Sequence, residues 1–203
     1  MQTKVTNNVK NFLGDLVEAC YENKITLKLV HSKQLHIGKI KCSGMFDEKS
    51  LQVSTDHDLE IWLGVLVHES CHMDQYLQNI QIWRDIDPHL IRVDSWVTDP
   101  DYKIWKKAEA FEKVVELELD CEKRAIKKIN KYKLPINKER YIRGANSYLF
   151  AYGAAMRNRR WYKHPYKRAE IWGVMPGKFL RLANYVDPKH PLLDVYDEVY
   201  KSS

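Results

Sequence analysis

Apolar positions recur at three- and four-residue steps over residues 6–22, where Phe12, Leu13, Leu16, Val17 and Cys20 predict an opening helix. Three short stretches, 25–30, 37–45 and 50–54, carry alternating or β-rich residues and predict strands. Asp47-Glu48-Lys49 reads as the turn of a hairpin between the last two. A long helix is expected from Thr55, because Thr55 and Asp58 have the spacing of a capping box. Its first turns, 61–67 (IWLGVLV), are apolar on every side, the pattern of a helix buried between layers. Residues 82–101 hold Pro88, Pro100, several aspartates and two tryptophans, and read as a long connection. A second long helix spans 102–132 and stops before Pro135. Asn137 can cap a third over 140–161. Four later prolines, at 165, 176, 188 and 191, predict an irregular tail over 166–203 with one or two short helices. A helix, a small sheet and then helices make an α+β fold, expected as one domain over 1–203 with its core in about the first 165 residues.

Composition narrows this picture. The chain has 203 residues, 44% hydrophobic and 30% charged, enough to build a core and unlike a disordered chain. No apolar run approaches eighteen residues, so no membrane-spanning helix is expected. The first twenty residues lack the cationic start and apolar stretch of a signal peptide. Cys20, Cys42, Cys71 and Cys121 form no CxxC pair and read as four reduced thiols in a cytoplasmic protein. A net charge of +6 permits an acidic partner without naming one.

Chemistry enters at His68-Glu69-Ser70-Cys71-His72. Histidines at i and i+4 share one helical face, so both imidazoles can meet one zinc ion, and the glutamate beside the first can act on water. Chance supplies this pattern about 0.02 times in a chain of this composition. Two histidines and a glutamate in a dry helix need partners, and a metal supplies one.

A catalytic zinc needs a third protein ligand and an open position. In the second long helix Phe111, Val114, Val115, Cys121, Ala125, Ile126 and Ile129 form an apolar stripe, and Glu118 and Glu122 fall on it. Glu109, Glu112, Glu116, Asp120 and Lys123 fall off it. Carboxylates on a buried face need compensation, which zinc at Glu118 and a hydrogen bond from Glu122 to a ligand histidine would give. A helix rotated the other way would instead turn Glu116 and Asp120 inward. Cys121 reads as a small packing residue.

HESCH with a downstream helical glutamate resembles the zincin metallopeptidases of the gluzincin type, in which a glutamate on the second helix is the third zinc ligand and a residue four places on orients a ligand histidine. Glu118 to Ala125, ELDCEKRA, is similar to that element, with Glu122 where the family commonly has Asp or Asn. Together VHESCHMDQ, ELDCEKRA and GANSYLFAY…RRWYKHPY resemble a group of small phage-encoded HExxH proteins, over roughly residues 60 to 170. The resemblance implies a zincin-like fold and a zinc peptidase acting on a peptide or protein. In similar zincins a tyrosine or histidine donates to the developing oxyanion. The third helix carries Asn146, Tyr148 and Tyr152, and Tyr148 is the candidate for that role, against a plain core tyrosine.

Two further features compete for attention. His89 lies seventeen residues beyond His72 and offers an alternative third ligand, against a loop histidine after Pro88. Residues 157–168 (RNRRWYKHPYKR) interleave cations with aromatics, as nucleic-acid contacts require, beside an acidic tail of Asp194, Asp197 and Glu198. The expected function is therefore zinc-dependent peptide hydrolysis with His68, His72 and Glu118 as ligands and Glu69 as general base. The alternative is a non-catalytic phage protein stabilised by metal, or a nucleic-acid-binding accessory protein.

Overall fold

The structure, a computed structural model, describes residues 6–38 and 40–201. In chain order its elements are α1 (Asn7–Glu22), β1 (Thr26–Val30), β2 (Leu35–Ile37), β3 (Ile40–Cys42), β4 (Gly44–Phe46), β5 (Ser50–Ser54), α2 (Leu59–Leu77), α3 (Gln81–Arg84), α4 (Asp87–Thr98), α5 (Lys107–Tyr132), α6 (Lys138–Asn158), α7 (Ala169–Val174), α8 (Leu182–Val186) and α9 (Leu192–Lys201), with a 3-10 turn at Pro165–Lys167. The fold is α+β. Its contacts gather into two compact units, one of residues up to Asn79 with Lys123–Lys138, the other of Ile80–Glu122 with residues from Glu139 onward.

In the first unit β5 is the central strand, parallel to β1 and antiparallel to β4. Leu51 and Val53 on β5 are fully buried, and Ser50 and Ser54 nearly so, which explains why this strand shows no clean alternation. The hairpin between β4 and β5 turns at 47–49. There the Asp47 carboxylate accepts from the backbone N–H groups of Lys49 (3.1 Å) and Ser50 (2.6 Å), while Glu48 takes a left-handed φ of 67°. β2 and β3 pair separately as an antiparallel hairpin, so the single strand expected over 37–45 is divided. α1 starts at its Thr6 cap and buries Val9, Phe12, Leu16 and Cys20.

α2 begins at Leu59, later than expected. Thr55 continues the sheet instead, donating both its N–H (2.9 Å) and its hydroxyl (3.2 Å) to the Val30 carbonyl, and Asp58 makes no side-chain cap. Leu63, Leu66, Val67 and Cys71 are fully buried, whereas Ile61, expected inside, is 48% exposed.

The second unit has a large core that includes Phe111, Val114, Val115, Leu149, Phe150, Ile171, Tyr185, Leu193 and Tyr196. Two expectations fail here. Residues 82–101 are not a long connection but carry α3 and α4. Pro88 lies in the first turn of α4, where a missing N–H costs nothing, Asp87 suits the helix dipole, and Val93 and Trp96 are buried one turn apart. Nor is the tail irregular. α7, α8 and α9 place Ile171, Tyr185, Leu193 and Tyr196 in the core. A Cβ on Gly153 would fall 2.2 Å from the Tyr185 carbonyl oxygen, so glycine permits that approach. Asn146 spans the contact, donating to the Pro176 (2.7 Å) and Lys178 (3.0 Å) carbonyls and accepting from the Tyr185 hydroxyl (2.5 Å).

Candidate metal centre

His68 and His72 lie on α2 one turn apart, and the turn brings their Nε2 atoms to 3.2 Å, with the rings edge-on at a centroid distance of 4.7 Å. A tetrahedral ion bound at zinc–nitrogen lengths holds two ligand nitrogens about 3.3 Å apart, and the separation of this pair matches that spacing. His72 is 9% exposed and its Nδ1 lies 2.8 Å from Gln75 Oε1. An amide oxygen only accepts, so Nδ1 carries the hydrogen and a neutral His72 keeps its lone pair on Nε2, beside His68. Gln75 was missed in the sequence, although a glutamine three residues after His72 on a helix expected to be buried is itself the signal.

Glu69 is 8% exposed. Its carboxylate stands near Cys42, whose thiol is pushed up first by burial and then by that negative charge. α2 is clamped around the motif by Lys128. The Lys128 ammonium donates to the Ser70 carbonyl (3.0 Å) and hydroxyl (2.9 Å) and pairs with Asp74 at 2.8 Å.

On α5, Glu118 is 8% and Glu122 5% exposed, while the Glu116 side chain is 42% exposed and pairs with Lys113 at 2.8 Å. The helix therefore turns Glu118, Cys121 and Glu122 inward, not Glu116. Glu122 accepts from the Tyr141 hydroxyl at 2.6 Å. On α6 the Tyr148 and Tyr152 hydroxyls lie 2.8 Å apart. Burial, then the Glu118 carboxylate, pushes the Tyr152 phenol far up, so it stays protonated at any ordinary pH. Cys121, read from sequence as a small packing residue, is fully buried.

The competing features resolve differently. His89 lies in α4, not in a loop, and its Nδ1 meets the Arg92 guanidinium at 2.7 Å. Burial first and Arg92 second hold its pKa below the ordinary histidine value. The cations at 157–168 are largely engaged within the fold. Arg157 pairs with Asp194 (2.9 Å) and with Asp197, and Arg159 donates to the carbonyls of Trp96 (2.8 Å), Asp99 (2.8 Å) and Tyr102 (3.0 Å). Arg160 stacks over Tyr162, and Arg168 over Tyr200.

No helix among the described residues is long and apolar enough to cross a membrane. Comparison with protein families, with curated proteins and with solved structures finds no match for this chain.

Proposed function

We propose that the chain is a zincin-like, zinc-dependent peptidase of the cytoplasm. The observation that carries the reading is the pair of Nε2 atoms 3.2 Å apart, one ring set by Gln75, with the buried Glu69 next to the first histidine. His68 and His72 would hold the ion, with Glu118 as the candidate third ligand, and the Tyr141 hydroxyl anchors Glu122. Zinc at such a site supplies Lewis acidity, which polarises a carbonyl and brings the pKa of water toward about 7. Glu69 takes a proton from the attacking water and passes it to the leaving amine. Tyr148 donates to the oxygen on which charge develops, and the neighbouring Tyr152 hydroxyl restrains it.

A polypeptide substrate is favoured by β4. Among the described residues this strand pairs only with β5, and Gly44 at its start lies against Glu69. An extended peptide can add to the outer edge of β4 by backbone hydrogen bonds.

A second reading rests on Cys121, fully buried on α5 three residues after the buried Glu118. With Cys121 and Glu118 both ligating, the ion would be four-coordinate and closed, the form of a structural site in a non-catalytic protein. Metal analysis of the native protein and of Glu69→Gln, with each incubated on an unfolded proteome, separates the two. Peptidase activity requires about one zinc per chain in both proteins and new peptide termini from the native one alone. Full zinc with no cleavage by either protein supports the closed site, and absence of zinc removes both readings. Nucleic-acid binding, the remaining alternative, is checked by retention on heparin at low salt.

A further inference from the structure

Gly44 sits in an ordinary strand position opposite Val53, and its φ is not in the left-handed region, unlike that of Gly38 at 59°. The backbone there does not call for glycine, and glycine weakens a strand interior. Space is what calls for it. A Cβ on Gly44 would fall 2.5 Å from Val65 Cγ1 and 2.8 Å from both Cγ and Oε1 of Glu69. Val65 is β-branched on a helix, where one rotamer dominates, so its methyl group has little freedom to swing away. Glu69 is the side chain with torsions to spare, and it would move first. The same carboxylate also acts on Cys42, at the end of β3 and two residues before Gly44.

We infer that Gly44 is a positioning residue for Glu69: the side chain missing from β4 leaves the space that the Glu69 side chain occupies. Any larger residue at 44 displaces the carboxylate while leaving the two histidines and the bond of His72 to Gln75 untouched. The importance of that placement for hydrolysis rests on the function proposed above; the contact itself does not.

The test is a double-mutant cycle of Gly44→Ala and Glu69→Ala, run in a Val65→Ala background so that the Val65 methyl contributes nothing. Melting of the metal-free protein reads the contact. Zinc titration, and calorimetry with acetohydroxamate on the zinc-loaded protein, read the position of the carboxylate. Gly44→Ala should lower Tm when Glu69 is present and change it little when residue 69 is alanine. Zinc affinity should stay within about twofold, while hydroxamate affinity falls by about tenfold with Glu69 and by less than about twofold without it. An equal Tm loss in both backgrounds overturns the inference, as does unchanged hydroxamate binding in Gly44→Ala. If the zinc-loaded parent binds no hydroxamate, the open coordination position of the proposed peptidase is lost, and the melting cycle alone then decides for or against Gly44.

Discussion

Replacing Gln75 by Leu tests the proposed metal site at a residue that bonds His72. The Gln75 side chain is fully buried and its Oε1 is 2.8 Å from His72 Nδ1. Without that acceptor, His72 loses both its fixed tautomer and its fixed orientation. Loss of such an outer contact lowers metal affinity by about 10–100-fold, or about 1.4–2.7 kcal/mol. The metal-free protein should also lose stability, because a buried N–H left without a partner costs about 1–3 kcal/mol. For a chain of this size each kcal/mol lowers Tm by about 2–4 °C. Gln75→Glu restores an acceptor at the same place and should recover zinc affinity to the native level or better. The assay is competition for zinc against a chromophoric chelator, with melts of the metal-free proteins run beside it. Gln78→Leu, three residues on and exposed, serves as the control, since Gln78 bonds Arg124 and not a histidine. The reasoning is refuted if Gln75→Leu binds zinc as the native protein does while His72→Ala does not bind it.

Glu118→Gln should weaken zinc binding sharply, whereas Glu116→Gln, which loses only a half-exposed pair with Lys113, should stay within about 0.5 kcal/mol of native stability and leave zinc untouched. Cobalt-substituted protein should show no thiolate charge-transfer absorption if Cys121 is only packed, and a strong near-ultraviolet band that vanishes in Cys121→Ser if it ligates; the two outcomes divide an open from a closed site. Arg159→Ala should destabilise the protein by about 1–3 kcal/mol by leaving the carbonyls of Trp96, Asp99 and Tyr102 short of a donor, read by urea melts, so a loss of heparin retention in this variant counts for binding only where the fold is intact. His89, held below its ordinary pKa by burial and Arg92, should titrate below 6.5 by NMR. Because the folded state resists that proton, the contribution of His89 is to lower stability as pH falls through the ordinary histidine range, with the full stability present above it.

The parts of the fold legible in the sequence were those whose hydrophobic period is carried by one face. α1 buries Val9, Phe12, Leu16 and Cys20, and α5 turns Glu118 in and Glu116 out, as a stripe at three- and four-residue steps requires. α4 was hidden because Pro88 and the aspartates around it were counted as breakers, although at a helix N-terminus they are starters. α7 to α9 were hidden for a different reason. These helices are short, and their anchors, Ile171, Tyr185 and Tyr196, are held by tertiary bonds such as Tyr185 to Asn146, which no local pattern announces. The start of α2 was misplaced because Thr55 has two uses, capping a helix or extending a sheet, and the Val30 carbonyl decides between them.

The site divides along the same line. The approach of His68 and His72 was legible because an i, i+4 pair is a statement about one helix, and helical geometry alone brings the nitrogens together. Gln75 belongs to that helix too and lay within reach of the same reasoning; a polar residue at i+3 on a buried face has to bond something, and it bonds His72. Gly44 did not. Its meaning depends on β4 packing beside α2, so a glycine that looks like a weak strand residue in isolation becomes the space for a carboxylate from another element. What a sequence pattern can state is which donors share a face. Which neighbours must stay small for those donors to point where chemistry needs them is settled only between elements, and that is where a site of this kind is most easily broken by a substitution that touches none of its named residues.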